Sequence, residues 1–236
     1  MRQLHEIQLK ILKNLLFADG LRYAKMKPDP EIENNQFDFH LDQLIEGGYI
    51  DKRDKVYKLT NFGKEYANRM DTEEVVVAKQ SKVSAWVCCT RRRGGQVEYL
   101  IYTRLKQPFY GCQGFMSGKV KYGEKVIDAA RRELEEETGL VGEPKIVSIK
   151  HFLVYDKQSN VLVEDKFMFL CLAKNPVGEI RPHDEGKYEW VGEIDLKKYV
   201  TNHFESWEAF EKQVKGVKSF RGQIRLEEID HWSEKF

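Results

Sequence analysis

The segment at residues 118–140, GKVKYGEKVIDAARRELEEETGL, constrains the fold of this 236-residue chain more than any other part. Its apolar residues recur at helical spacing, which predicts a helix over residues 124–138. On that helix Glu133, Glu136 and Glu137 lie within one arc, because residues three and four apart are neighbours. The segment therefore predicts a helix with three carboxylates on one side and an apolar stripe beside them.

An arc of like charges is unfavourable, since each like-charged pair on a helix costs about 0.2–0.5 kcal/mol. A divalent cation held between the carboxylates would relieve this repulsion. Oxygen-only ligands select a hard ion, so the predicted cofactor is Mg²⁺ or Mn²⁺. A solvated acidic helix face is the usual alternative for a run of glutamates, but the pattern of the whole segment favours the metal site.

The segment as a whole resembles the Nudix box: a glycine, a later glutamate, an Arg-Glu-apolar-x-Glu-Glu core and a final Gly-apolar pair. The resemblance to the Nudix (MutT-like) hydrolase family covers about residues 75–236. It implies an α/β/α sandwich with a mixed sheet, so the predicted fold class is α+β. It also implies metal-dependent attack of water at phosphorus, which cleaves a phosphoanhydride bond in a nucleoside diphosphate linked to another moiety.

The resemblance assigns roles to the residues of the box. Glu136 and Glu137 would bind the metal, and Glu133 would act as general base or as a further ligand. Arg132 would pair with Glu133 and orient it. A main-chain carbonyl near Gly118 would complete the metal shell, because a glycine lets the loop approach closely.

Other positions of the motif are expected to be structural or to come from a later loop. Glu124 would brace the loop onto the helix, and Gly139 would close the motif. Glu185, which follows Asp184, is the candidate for an additional metal-binding acid, with two solvated loop acids as the alternative. The family often has Pro-Gly-Gly at the start of the box, and only the last of these residues, Gly118, is present here.

Four residues are candidates for contact with a nucleotide-type substrate. Arg104 ends a predicted strand and would meet a phosphate or form a surface ion pair. Lys119 would touch phosphate or point into solvent, and Phe109 would stack on a base or pack in the core. Tyr155 lies where diadenosine-polyphosphate members of the family tend to carry Tyr, although it also fits plain strand alternation. The sequence leaves the group linked to the nucleotide open.

Residues 1–72 are predicted to form a separate domain, before the Nudix domain at residues 73–236. Helical spacing predicts helices over residues 3–17 and 33–46, followed by a hairpin over residues 49–59 and a closing helix. This order resembles a winged helix-turn-helix.

A nucleotide-sensing transcription regulator, with the winged helix on DNA, is the alternative function. Residues 1–75 hold 12 Lys and Arg against 14 Asp and Glu. The helix over residues 33–46, which would enter the major groove, has no Lys or Arg. DNA binding is therefore not favoured. A dimerisation module, which would make a homodimer, an interaction module or a lid over the second domain is preferred.

Beyond residue 75 the pattern predicts strands over residues 82–90, 97–104, 145–156 and 162–173, with a mostly helical end from residue 195. The four cysteines match no zinc spacing and are expected to be reduced, buried thiols. The sequence has no apolar run near the roughly 20 residues of a membrane helix. We therefore predict a cytoplasmic protein that does not enter a membrane.

Overall fold

The protein was analysed as a computed structural model that describes residues 4–181 and 183–235. The chain divides into two compact units, residues 1–79 and residues 80–236. Both combine helices with sheet, and the larger unit has a mixed sheet, so the predicted α+β class is confirmed. In the described part of the chain no helix is long and apolar enough to cross a membrane.

The first unit packs short helices against a three-stranded sheet in the order β1-β3-β2. Its elements are α1 (Glu6–Leu16), β1 (Leu21–Arg22), α2 (Tyr23–Met26), α3 (Asn34–Glu46), β2 (Ile50–Arg53), β3 (Val56–Leu59), α4 (Asn61–Ala67), β4 (Met70–Asp71) and β5 (Val76–Val77). A capping box at His5 and Gln8 fixes the start of α1, which satisfies backbone N–H groups that the helix cannot pair itself. The element order agrees with the sequence pattern, and the identification as a winged helix stays a prediction.

The second unit is built on one eight-stranded sheet. Its strands are β6 (Lys82–Arg93), β7 (Gln96–Arg104), β8 (Gln113–Gly114), β9 (Met116–Lys119), β10 (Lys145–Asp156), β11 (Leu162–Lys174), β12 (Gly186–Gly192) and β13 (Arg225–Ser233). Its helices are α5 (Val126–Thr138), α6 (Leu196–Tyr199) and α7 (Trp207–Ser219). The main order is β12-β7-β6-β11-β10-β13, with β8 on β7 and β9 on β6. The β6–β11 and β10–β13 pairs are parallel.

Strand alternation in β6 separates two cores. Ala85, Val87 and Cys89 pack with the apolar side of α5, whereas Trp86 and Cys88 pack on the opposite face with α7. The sheet is therefore covered by a helix on each face. All four cysteines are buried and free, as the sequence predicted.

The mostly helical end predicted from residue 195 is wrong for its last part, because Arg225–Ser233 forms the edge strand β13. This strand runs parallel to β10, and its outward positions are Leu226, Glu228, Asp230 and Trp232. Charge on outward positions is common in edge strands, since it discourages pairing with other chains. The inward positions include polar residues as well, so the strand lacks the apolar alternation by which a strand is recognised in a sequence.

Substitution of two helical glycines by alanine is expected to change the free energy of unfolding in opposite directions. A Cβ at Gly63 in α4 would lie 2.0 Å from the carbonyl oxygen of Tyr49, whereas one at Gly216 in α7 would meet no atom within 4 Å. Gly63→Ala should lower the free energy of unfolding by about 2 kcal/mol or more, because the backbone must shift. Gly216→Ala should raise it by about 0.5–1 kcal/mol. Urea unfolding of both variants checks this, and equal effects would contradict it.

Candidate active site

Helix α5 is fixed on the sheet by its small and apolar side. Ala129, Ala130 and Leu134 are fully buried against the strands. The helix ends at Gly139, whose φ of 75° is left-handed, and a Cβ there would lie 2.8 Å from the carbonyl oxygen of Glu179. Only glycine meets both conditions without strain. The structure thus places Gly139 where it sets the end of the carboxylate-bearing helix.

The guanidinium of Arg132 joins the carboxylates of the motif. Its Nε and Nη2 donate to the two carboxylate oxygens of Glu124 at 2.7 and 2.9 Å. Its Nη1 donates to Glu133 at 2.7 Å and to Glu136 at 3.0 Å. Nη2 also reaches the carbonyl oxygen of Lys119 at 3.0 Å. One side chain therefore ties the loop before α5 to two glutamates on the helix.

Glu124 connects the loop before α5 to the helix and stays charged. The Arg132 guanidinium and the backbone N–H of Lys121, 2.9 Å from its Oε2, lower the pKa of Glu124 to about 2. Hydrogen bonds to the same carboxylates raise the pKa of Arg132 above its ordinary value. Both groups stay charged at any physiological pH, so neither can exchange protons during a reaction.

Gly118 lets the backbone of β9 touch the Glu133 carboxylate. It pairs with Ala85 in the β6–β9 ladder, and a Cβ at this position would lie 1.8 Å from Cδ of Glu133. No side chain larger than hydrogen fits there while Glu133 keeps its place. The main chain near Gly118 and the Glu133 carboxylate are thus direct neighbours.

Glu137 is the buried acid of the cluster. Burial raises its pKa to about 7, the hydroxyl of Tyr188 opposes this rise by donating a hydrogen bond, and nearby Glu133 adds to it. Tyr188 stacks on Tyr102 with ring centroids 5.2 Å apart. The sequence analysis did not single out Tyr188. Its alternation with Trp190 along β12 was the available signal.

The three glutamates border an open cleft with a cationic rim. Among the described residues, seven Lys and Arg side chains and five glutamates line it. The cationic residues are Lys82, Arg104, Lys106, Lys119, Lys121, Arg132 and Lys166, and the acids are Glu133, Glu136, Glu137, Glu164 and Glu185. The surplus of positive charge suits a polyanionic ligand, because phosphate groups are held by such side chains.

The carboxylates can hold a divalent cation by their chemistry, although they do not converge on one point in this arrangement. In the described part of the chain no three His, Cys, Asp or Glu side chains form a ready metal cluster. Glu133 and Glu136 are turned to Arg132, and Glu137 is turned to Tyr188. Glu136 is half exposed, so its side chain can rotate. The all-oxygen donor set fits a hard ion such as Mg²⁺ or Mn²⁺.

The later acid, Glu185, lies in this cleft and forms an ion pair with Lys106. Its carbonyl oxygen accepts hydrogen bonds from Tyr102 at 3.0 Å and from the backbone N–H of Leu105 at 2.9 Å. The loop that carries Glu185 is therefore held to the end of β7, which keeps this acid beside the cleft.

The structure places the four predicted substrate contacts in different surroundings. Arg104 and Lys119 line the cleft, and the Nε of Arg104 donates to the carbonyl oxygen of Pro108 at 2.6 Å. Phe109 is buried and packs on Phe204, and it also lines the cleft. Tyr155 is not among the described residues of the cleft. Its ring stacks on that of Trp232, 5.2 Å away, because β13 lies next to β10.

Sequence reasoning missed part of the cationic wall. Glu164, Lys166 and Met168 line the cleft from alternate positions of β11, and Glu164 pairs with Lys166 at 2.7 Å and with Lys82 at 3.3 Å. The strand itself was predicted. Strand alternation would have placed these three side chains on one face, but the face could not be assigned without the sheet order.

Fold and site define a class of protein in which a mixed sheet between helices presents a carboxylate-bearing helix to a cationic cleft. The family model of the NUDIX domain matches residues 80–212, which is more than half of the chain. The chain therefore belongs to the Nudix family, in which the segment at residues 118–140 is the Nudix box.

Relatives and solved structures agree with this family. An ADP-ribose pyrophosphatase of Methanocaldococcus jannaschii is 30% identical over 95 residues, which cover 40% of this chain and 55% of that protein. The uncharacterized Nudix hydrolase YvcI of Bacillus subtilis is 31% identical over 95 residues, which cover 39% of this chain and 59% of that protein. The chain thus spans little more than half the length of these relatives.

The NUDIX domain of Shewanella oneidensis NrtR, solved in complex with ADP ribose, has a TM-score of 0.50 and 16% identity to this chain. The match covers 67% of this chain and 99% of that domain. At this identity the similarity shows the fold, and the predicted Nudix α/β/α architecture with a mixed sheet is confirmed.

The raised pKa of Glu137 predicts how the free energy of unfolding depends on pH. Native Glu137 keeps its proton up to about pH 7, whereas the unfolded chain loses it near 4.5. Between these values the native state binds more protons, so this group makes stability fall as pH rises. In EDTA, Glu137→Gln should therefore raise the free energy of unfolding by roughly 1–3 kcal/mol at pH 8. The gain should disappear near pH 4.

Glu135→Gln is the matched control, because Glu135 is exposed on the same helix. It should show neither the gain at pH 8 nor the pH dependence. Urea unfolding at pH 4, 6 and 8 checks both variants. A gain for Glu137→Gln that does not change with pH would contradict the assignment of a raised pKa.

Proposed function

We propose that this protein is a divalent-metal-dependent pyrophosphohydrolase, in which water attacks phosphorus and breaks a phosphoanhydride bond. The observation that carries the proposal is the cleft, where three glutamates of one helix stand within a wall of Lys and Arg side chains. Acidic groups that can hold a cation and basic groups that can hold phosphate are both needed for hydrolysis of a polyanion. Family membership supports the same activity.

Glu136 and Glu137 would hold Mg²⁺ or Mn²⁺, with Glu133, Glu185 and the carbonyl near Gly118 as further ligands. When bound, such an ion lowers the pKa of water and neutralises the charge that develops on phosphate oxygens. The half-exposed Glu136 would leave Arg132 to join the ligand set. The buried Glu137 would give up its proton, so tighter binding of the ion at higher pH is part of the proposal.

The chain's own residues would position the reaction. Arg132 holds Oε1 of Glu133, and Oε2 lies beside Gly118, where it would accept a proton from water or bind the ion. Lys119 and Arg104 line the cleft and would contact the phosphates. Phosphate binding by several cations would keep the attacked phosphorus within reach of a water held by Glu133 and would neutralise charge on the leaving phosphate.

The proposed substrate is a nucleoside diphosphate linked to another moiety. Support comes from the relative named as an ADP-ribose pyrophosphatase and from the NUDIX domain solved with ADP ribose. The cationic wall supports a ligand with at least two phosphates, since it lines the cleft from several strands and loops.

The N-terminal unit remains proposed as a winged-helix-like module, and DNA stays an unfavoured partner. The described face of α3 exposes Asn34, Asn35, Gln36, Phe39 and Asp42, without a Lys or Arg. Asp38 is occupied by a hydrogen bond of 2.6 Å from the hydroxyl of Tyr23. A homodimer and a cytoplasmic location also stay predictions.

Glu136→Gln should abolish the proposed activity. The amide keeps the size of the side chain but removes a charged ligand, so turnover should fall by at least about a hundredfold. Glu135→Gln, which changes an exposed glutamate on the same helix, should keep wild-type turnover. The measurement is ³¹P NMR of products from dinucleotides, nucleotide sugars and nucleoside triphosphates with Mg²⁺. Failure of the wild-type protein on the whole panel would overturn the proposal.

A further inference from the structure

A separate cavity lies beside α7. This helix forms one wall, the first residues of β13 and the turn before them form another, and residues of β10 and β11 form the floor. Its volume is about 470 Å³, which is within the usual size of small-molecule sites. Among the described residues it shares no lining residue with the cleft. A ligand in this cavity would therefore not take the place of the proposed substrate.

Cationic side chains dominate the lining of this cavity. In the described part of the chain, five Lys and Arg residues line it together with one carboxylate. The cations are Lys150, Lys212, Lys215, Arg221 and Arg225, and the acid is Glu227. Glu227 is paired with Lys212, whose Nζ lies 3.1 Å from its Oε2. The cavity therefore has an excess of positive charge, which favours an anionic ligand.

Lys150 is the buried cation of the cavity. It is only 4% exposed, and its ammonium group forms no hydrogen bond or ion pair with another described residue. Its Nζ lies 5.7 Å from the ring centroid of Trp86 and 5.6 Å from that of Phe152. Burial lowers the pKa of Lys150, and the charges of Glu205 and Glu227 oppose this only in part. Because a buried charge is costly without a counter-ion, Lys150 favours an anion beside it.

Two arginines lie on the β13 side of the cavity. Arg225 is exposed at the start of β13 and forms no hydrogen bond or ion pair within the described residues. Arg221 donates to the carbonyl oxygens of Lys218 at 3.3 Å and of Phe220 at 3.0 Å. This contact offsets the negative end of the α7 dipole, which would otherwise repel an anion. Guanidinium groups suit phosphate in particular, because they donate paired hydrogen bonds to its oxygens.

Gly216 leaves room for a ligand along α7. It lines the cavity together with Lys212, Lys215 and Ser219, which lie on the same face of the helix. A Cβ at Gly216 would meet no atom within 4 Å. The space over the helix backbone is therefore open beside both lysines.

We propose that this cavity binds a small molecule that carries a diphosphate group, at a site separate from the cleft. Lys150 supplies the buried positive charge, and Lys212 and Arg225 contact the outer phosphate oxygens. A diphosphate carries enough negative charge to meet several cations at once, whereas a single carboxylate would leave most of them unmatched. The site goes beyond the proposed hydrolysis and does not depend on it, because it uses no residue of the cleft.

Titration of inorganic pyrophosphate into the full chain in EDTA tests the site by isothermal titration calorimetry. The background protein carries Arg104→Gln and Lys119→Gln, which remove two cations of the cleft and weaken binding there. In this background the cavity should bind one equivalent. Gly216→Glu should bind at least about tenfold more weakly than Gly216→Gln, because the two side chains match in size and differ in charge. Both variants should fold, since a side chain at this position has open space.

Lys150→Met, which keeps an unbranched side chain without its charge, should also lose most of the binding. Lys218→Gln is the matched control, because Lys218 lies on the same helix but pairs with Glu193 instead of lining the cavity. It should keep the binding constant of the background protein. Equal affinities of Gly216→Glu and Gly216→Gln overturn the proposal, as does the absence of a saturable pyrophosphate site.

Adenosine diphosphate in the same titration distinguishes two sources of the diphosphate group. Tighter binding than that of pyrophosphate assigns the cavity to a nucleotide, and weaker binding assigns it to the inorganic ion. Either result supports the site, provided that Gly216→Glu weakens the binding and Lys218→Gln does not. Binding of adenosine diphosphate that is unchanged in Gly216→Glu and in Lys150→Met lies outside this cavity and overturns the proposal for nucleotides.

Discussion

The arrangement of the site depends on one guanidinium that is shared by three carboxylates. Arg132 holds Glu124 through both of its oxygens and holds Glu133 and Glu136 through a single nitrogen. Charge-assisted bidentate pairs fix distance and direction together. The contacts of Arg132 therefore set the position of the loop before α5 and of the two carboxylates on the helix. The apolar side of α5 then places the whole group against the sheet.

The same contact helps to explain why three acids are tolerated on one side of α5. Glu133 and Glu136 share a cation, whereas Glu137 is buried with a hydroxyl as its partner and has a raised pKa. The three acids therefore differ in their surroundings: two share the guanidinium of Arg132, and the third is buried with a raised pKa. This division leaves the cluster able to accept a cation, since the proton on Glu137 and the Arg132 bond to Glu136 are both replaceable.

Local pattern was enough to predict the parts of the fold in which neighbours in sequence are neighbours in space. The helix α5 and the arc of its three glutamates follow from spacings of three and four residues, whereas the link from Arg132 to Glu133 was predicted from the resemblance to the Nudix box. The position of strand β13 and the set of side chains that line the cleft depend instead on which strands are adjacent. Residues such as Lys82 and Glu164 are brought together only by the parallel pairing of β6 with β11, which no local pattern encodes.

The short strand β9 links the carboxylate cleft to a space lined by aromatic rings on the α7 side of the sheet, and no local pattern predicted this strand. Gly118 abuts Glu133 on the α5 side, while its neighbour Ser117 pairs with Trp86 and lines both spaces. Adjacent residues of a strand point to opposite faces, so one dipeptide serves the carboxylates and the aromatic cavity at once. A substitution that tilts β9 would therefore disturb both cavities together.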